Sequence, residues 1–278
     1  MADRPTGKAQ EKAAFEVDTS VPNAARVYDY LLGGTDNFEV DRQAAEANNA
    51  VLPGGIAAAR AEVRANRDFL GRAVRWLVET AGIRQFLDIG TGIPNADNVH
   101  AVAQAAAPES RIVCVDYDPV VLAHAHTLLK STPEGAAAFL HGDLREPDKI
   151  LEVAAETLDL EQPTALLLLG ILYLVPDEDD PHGIVRRLMD ALAPGSYLVV
   201  SHMTADFNPE MLELAERLNE TMAEPFIMRP RAEVERFFDG LELVPPGVVQ
   251  VGAWQQGGAP AAEPGPVTAY YVGVGRKP

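Results

Sequence analysis

Four short segments carry residue types and spacings that can do chemistry. In LDIGTGIP (87–94) an apolar run ends in Asp88 and is followed by Gly90, Thr91 and Gly92. Alternating glycines let the chain turn sharply and let a ligand approach bare backbone, and a helix beginning beyond them offers unpaired N–H groups. A nicotinamide fingerprint needs a third glycine where this chain has Asn95, and Pro94 precedes it. The remaining D-x-G-x-G core suits a ligand with no phosphate at the turn. In VDYDP (115–119), Asp116 follows Asp88 by 28 residues, with Tyr117 beside it. A carboxylate at that strand end can accept both hydroxyls of an adenosine ribose, whereas Asp118 before Pro119 has the pattern of a helix cap. In HGDLREP (141–147), Asp143 can accept from the exocyclic amine of an adenine and the Leu144 amide can donate to a ring nitrogen; a plain turn and cap is the competing reading. In LLLLGILYLVPD (166–177), Gly170 ends a strand beside the ligand and Ile171 to Val175 form an apolar lip. Tyr173 in that lip either meets substrate or belongs to the core.

These segments need a scaffold that brings strand ends together. From Ile83 onward, short apolar runs (85–90, 111–117, 137–143, 165–172, 196–203) alternate with helical stretches (95–107, 119–130, 148–158, 180–192, 209–222). Such alternation predicts a parallel sheet covered on both faces. The last three runs, 241–244, 248–251 and 267–275, have no helix between them and predict an antiparallel end, with the Gly/Pro/Ala-rich stretch 252–266 as a mobile loop. Ahead of the sheet, residues 22–81 read as a helical cap. Pro22 and Asn23 start a first helix and Gly33-Gly34 stop it; Asp36 and Glu39 have capping-box spacing for a second; a third runs from Ile56 to Thr80. Along the third helix Ile56, Ala59, Val63, Leu70, Ala73 and Leu77 form an apolar stripe whose vacant step is Asn66. A buried amide needs partners, so Asn66 either bonds a neighbouring helix or, with Arg67, faces a pocket.

The 278 residues include 23 Lys and Arg against 41 Asp and Glu, a formal net charge of −18. That balance argues against a protein that coats nucleic acid or an anionic membrane. The longest apolar run, Ala165 to Val175, is too short to span a bilayer, and residues 1–21 lack the apolar core of a secretory signal and read as disordered. One cysteine, Cys114, excludes an intramolecular disulfide; with six scattered histidines it argues against a zinc site, so no metal is expected. The expectation is a cytoplasmic protein of unspecified oligomeric state. Its three parts are the N-terminus 1–21, the cap 22–81 and a ligand-binding α/β unit 82–278.

The four motifs in this order resemble the class I S-adenosylmethionine-dependent methyltransferases. A tighter similarity runs through PNAARVYDYLLGGTDNFEVDR (22–42), RANRDFLGRAVRWL (64–77), QFLDIGTGIP (85–94), VDYDPVVLAHA (115–125), VPDEDDPHGIVRRL (175–188), SYLVVSHMT (196–204) and RFFDGLELVPPG (236–247). On these the chain is identified as a member of an actinobacterial methyltransferase family first catalogued as a domain of unknown function. The resemblance implies a Rossmann-like, seven-stranded, mostly parallel sheet with an antiparallel last strand. It also implies S-adenosylmethionine (SAM) as cofactor. Related sequences often carry His where Tyr173 stands. The acceptor is expected to be a small molecule. Two alternatives are a SAM-binding protein without transferase activity and a nicotinamide-dependent oxidoreductase.

Methyl transfer is an in-line displacement, and a general base is required only when the nucleophile must lose a proton early. His202 at the end of the fifth strand is the first candidate base, with Asp36 and His100 behind it and Tyr173 as a possible contact. His124, His126 and His182 read as solvent-facing. Tyr28, Tyr30, Asn37 and Phe38 cluster around the Gly-Gly hinge as candidate acceptor-binding groups on a cap that excludes water. Arg67 is placed to pair with the carboxylate of the cofactor's methionine moiety, with Asn66 bonding the cofactor or orienting Arg67.

Overall fold

Aliphatic and β-branched strands buried on both faces can lie side by side only in a sheet that is covered on both sides. The computed structural model describes residues 18–94, 97–128, 130–255 and 268–278. Gln85–Ile89 (β1), Arg111–Asp116 (β2), Ala136–His141 (β3), Ala165–Leu169 (β4) and Tyr197–Met203 (β5) pair in parallel in the order β3-β2-β1-β4-β5. The chain therefore steps outward from β1 through β2 to β3, then returns to lay β4 on the other side of β1. That reversal opens a crevice at the carboxyl ends of β1 and β4, where ligands of such sheets bind.

Tyr270–Arg276 (β8) pairs antiparallel with β5, and Glu242–Leu243 (β6) and Val249–Gln250 (β7) both pair with β8. The two short strands lie end to end along β8, opposite Arg276–Gly275 and Val272–Tyr271. The expected seven positions are thus occupied, but by eight strands, because Pro245 and Pro246 between the pieces have no N–H to give the ladder. The predicted loop over 252–266 lies outside the described residues from 256 on, as does most of the N-terminal stretch.

Side-chain alternation in the strands sorts two cores. Phe86 and Cys114 point into the core shared with Gly55–Glu79 (α3) and Val99–Ala106 (α4), while Leu87, Ile89, Val113 and Val115 point into the opposite one with Pro147–Ala154 (α6) and Pro181–Asp190 (α7). Asp88 and Asp116 share the parity of Phe86 and Cys114, so both carboxylates face the α3 side. The remaining helices are Ala24–Leu32 (α1), Glu39–Asn49 (α2), Pro119–Leu128 (α5), Glu210–Thr221 (α8) and Arg231–Glu235 (α9).

The cap helices are fixed by side chains as well as by apolar packing. The Asn23 carboxamide accepts from the Ala25 N–H at 2.8 Å and the Arg26 N–H at 3.4 Å, and Gly33 ends α1 in the left-handed region at φ 88°. Arg26 and Asp41 form a buried ion pair at 3.0 Å that ties α1 to α2. The Asp41 carboxylate also accepts from the Asn23 N–H at 3.0 Å and the Phe38 N–H at 2.8 Å. Asp41 thereby supplies the reciprocal half of a capping box, and the role expected of Asp36 goes elsewhere: the Asp36 N–H donates to Asp29 Oδ2. Farther along, Trp254 meets Phe69 and Trp76 edge to face at 5.3 and 6.3 Å, which seats α3 against the C-terminal part of the chain.

Candidate cofactor and acceptor site

The turn after β1 is shaped by two left-handed glycines, Gly90 at φ 77° and Gly92 at φ 67°. Its amides at Gly90 and Thr91 donate to the Val115 carbonyl of β2. A β-carbon on Gly90 would stand 2.8 Å from the Ile171 side chain, so side chains are excluded there by contact. At Gly92 a β-carbon would meet open space, and the backbone angle alone selects glycine. Asp116 closes the turn from the next strand: Oδ2 accepts from the Gly92 N–H at 2.8 Å and Oδ1 from the Asp118 N–H at 3.0 Å. Asp116 is therefore a brace of the turn as well as a strand-end carboxylate, and two of its lone-pair directions remain for a ligand. Asp118 caps α5 by accepting from the Val120 N–H at 2.6 Å.

Burial pushes Asp88 up to about 6, against the opposing pull of the Thr91 hydroxyl and the Arg67 charge. Burial pushes Asp116 up to about 6 as well, although backbone amides favour its charged form. Both carboxylates, with Gly90, Thr91 and Gly92, line a cavity of about 880 Å³, open mouth included, beneath α1 and α3. The same cavity is lined by Tyr28, Asn66, Arg67, Tyr117, Gly170 and Tyr173. Arg67 donates to Asn98 Oδ1. The Asn66 amide donates to the Tyr28 hydroxyl at 3.1 Å, and its Oδ1 is buried with no hydrogen-bond partner among the described residues. An orphaned acceptor in a cavity wall is costly unless a ligand donates to it.

A second compartment of about 780 Å³ continues past Gly90, Asp116 and Tyr117 to Asp143, Leu144 and Glu224. Burial pushes the Asp143 carboxyl up, but Arg145 overcomes it and holds the group below its ordinary value through contacts at 2.6 and 3.0 Å. Glu224 was not legible in the sequence. Its Oε1 accepts from the Asn23 amide at 2.9 Å and from the Tyr117 hydroxyl, while Oε2 is buried without a partner among the described residues. It reaches the site from the loop after α8, a placement that no local pattern announces. Asp29, another lining residue of the first cavity, is one helical step from Tyr28 and holds Asn37 and Asp36 through Oδ2.

Several expected residues stand elsewhere. His202 is fully buried; Nδ1 bonds the Met203 carbonyl at 2.7 Å and Nε2 faces Arg229 Nη1 at 3.1 Å. Burial and the Arg229 charge drive it down to about 3, and it lines neither compartment, so the base role expected of it has no route to an acceptor. Its work is to hold Arg229, which donates to the carbonyls of Leu172 and Val175 and so pins the lip. Asp36 lines neither compartment. Tyr30 lies on the outer side of α1, bonding Glu46 at 2.8 Å under the Arg60 guanidinium. Asn37 bonds Asp29, Gly34 and Arg42, and Phe38 is exposed beneath Arg26. Tyr30 lies two residues after Tyr28 on α1 and so falls on another face of the helix, and the turn after Gly33 carries Asn37 and Phe38 away from the crevice. Tyr173 joins both of its readings: it lines the cavity and stacks on Phe226 at 5.6 Å. His100 is buried on α4 outside both compartments, and His182 packs on Phe237 at 4.3 Å rather than facing solvent.

A parallel sheet reversing at β1 and β4, an antiparallel strand beside β5 and a glycine turn at the reversal define a class I methyltransferase fold. The chain belongs to the S-adenosyl methyltransferase family, whose model matches residues 10–278, and SAM is its cofactor. It is similar to a DUF574 family protein from Streptomyces avermitilis, with 46% identity, 94% of this chain and 99% of that one covered, and a TM-score of 0.88. It is also similar to a candidate methyltransferase from Thermobifida fusca, with 38% identity, coverage of 94% and 96%, and a TM-score of 0.83. The fold alone is shared with magnesium protoporphyrin IX methyltransferase from Synechocystis, solved with bound S-adenosylhomocysteine, at 11% identity, coverage of 91% and 93%, and a TM-score of 0.52. None of the curated proteins compared with the chain matches it. No described helix is long and apolar enough to cross a membrane, and no cluster of metal-ligating side chains occurs among the described residues.

Proposed function

We propose that the protein transfers the methyl group of SAM, bound beneath α1 and α3, to a small-molecule acceptor. The observation that carries this placement is the unpartnered Asn66 Oδ1, buried in the same cavity as Asp88, Gly90, Asp116 and Arg67. Two buried carboxylates beside an orphaned acceptor suit a ligand that is cationic and rich in N–H and O–H donors. Bound there, SAM supplies an electrophilic methyl carbon on a sulfonium centre.

The chain's own residues then bind and orient. Gly90 and Gly92 keep the floor of the crevice free of side chains. Asp116 accepts from the ribose hydroxyls, and the compartment of Leu144, Asp143 and Glu224 takes the adenine. Asp88 and Asn66 accept from the amino group of the methionine moiety, and Arg67 pairs with its carboxylate. Tyr28 and Tyr173 exclude water around the sulfonium. Holding nucleophile and methyl carbon in line accounts for much of the rate of such a displacement. Calorimetric titration tests the placement: SAM should bind, NADH should not, and Arg67→Ala should weaken SAM while barely affecting decarboxylated SAM. Equal losses for both ligands would remove Arg67 from the pocket.

A further inference from the structure

Beside the cofactor cavity lies a second chamber of about 580 Å³, open mouth included, lined by α1, α2, α3, α8, the end of β5 and the start of β8. Ala24, Tyr28 and Tyr173 line both spaces, so the two adjoin there. Most of the chamber is apolar: Leu31, Leu52 and Val63 face Met203, Leu214 and Phe226. Among the described residues no lysine or arginine lines it. Its titratable groups are Tyr28 from α1, Tyr173 from the lip, Tyr270 from β8 and one carboxylate, Glu62 from α3; α2 contributes Asn49 and α8 only apolar side chains. Glu62 sits one helical turn before Asn66, about 6 Å along the axis, so it stands close to where the two spaces adjoin. Its Oε2 accepts from the Ala269 N–H at 2.8 Å, and Oε1 has no hydrogen-bond partner among the described residues.

A hydrophobic chamber with one proton acceptor and no cation selects a particular chemistry. It rejects carboxylates and phosphates, which would be left without a counter-ion. It accepts a flat apolar body. A carboxylate is too weak a base for an aliphatic alcohol but is matched to a more acidic hydroxyl. Resting on the SAM placement above, we propose that this chamber seats the methyl acceptor, an apolar aromatic molecule bearing a phenolic hydroxyl, and that Glu62 takes the hydroxyl proton. The phenol oxygen forms its bond to the methyl carbon as the carbon–sulfur bond breaks; sulfur keeps that electron pair and becomes neutral, and the proton passes to Glu62. Burial pushes the Glu62 carboxyl up to about 7, opposed only by the Ala269 amide, which suits a group that must gain and lose a proton near neutrality.

Three naphthalene probes of equal size test the proposal: 2-naphthol, 2-naphthylamine and 2-naphthoic acid, each incubated with SAM and assayed for S-adenosylhomocysteine. Turnover is expected with 2-naphthol, rising with pH through about 7 and then level. Turnover with the amine or the acid alone, or with none of the three, would overturn the acceptor class. Glu62→Gln keeps an oxygen for the Ala269 amide; it should lower the rate roughly 100-fold, flatten the pH profile and leave SAM affinity unchanged. An unaltered rate or profile would remove Glu62 from the chemistry. Ala59→Phe and Leu218→Trp, each checked first for SAM binding as proof of folding, should fill the chamber and abolish 2-naphthol turnover. Full turnover in a folded, filled variant would place the acceptor elsewhere. Loss of SAM binding by the unaltered protein would instead refute the cofactor placement.

Discussion

Lowering the pH from 8 to 5 should weaken SAM binding about 100-fold. Asp88 and Asp116 are both pushed up to about 6 by burial, so each is charged at pH 8 and about nine-tenths protonated at pH 5. A cationic ligand that needs both ionised must displace both protons, at about 1.4 kcal/mol each at that pH. Binding should therefore release close to two protons at pH 5 and almost none at pH 8. The same burial sets the stability of the unliganded protein with a definite sign. Between 3.8 and about 6 the folded state binds more protons than the unfolded one, so stability falls as pH rises through that window, by about 3 kcal/mol per carboxylate, and is level above it. Calorimetry with SAM in buffers of different ionisation enthalpy measures affinity and proton release together. Asp116→Asn keeps an acceptor for the Gly92 amide but removes one of the two titrations, so the loss should shrink to about tenfold. An affinity independent of pH between 5 and 8 would refute the assignment of both carboxylates to the cationic ligand.

Asp41→Ala leaves Arg26 buried without its partner and frees two backbone amides; a loss of about 3–5 kcal/mol in denaturant unfolding is expected, with weakened SAM binding because α1 carries Tyr28. Gly90→Val should abolish SAM binding in calorimetry, since its β-carbon would stand 2.8 Å from Ile171 and force the lip or the turn to move; normal affinity in a folded variant would show that the cofactor does not cross this turn. His202→Leu removes the acceptor facing Arg229 and should cost about 1–3 kcal/mol of stability by thermal unfolding, while the pH profile of methyl transfer keeps its shape. A profile that loses a titration in this variant would restore His202 as a base.

The glycine turn and the carboxylates that line the crevice are legible in the sequence because their signals are local. A glycine turn after an apolar strand has one structural consequence, and strand alternation places Asp88 and Asp116 on the same side. Asn66 was readable because it interrupts an apolar stripe, and the stripe fixes where it points. The placement of the cap side chains was not readable. Tyr28 faces the crevice, but Tyr30, two residues later on the same helix, points away from it, and composition around the hinge could not tell them apart. Asp41, not Asp36, ties the cap together, because a capping residue can reach back from inside the helix. His202 ends a strand, a position open to a structural as well as a catalytic histidine, and an arginine 27 residues later occupies it. Most of the second chamber is lined by apolar residues that no local pattern sets apart from the core, and Glu62 carries no signal of its own until β8 is brought beside it.

A crystal structure of the protein with S-adenosylhomocysteine decides where the cofactor sits. The ligand should run from Arg67 and Asn66 across Gly90 to Asp116, with a donor within about 3.2 Å of Asn66 Oδ1 and adenine beside Leu144 and Glu224. Ligand density that bypasses the Gly90–Gly92 turn, or that leaves Asn66 Oδ1 without a partner, would contradict this placement.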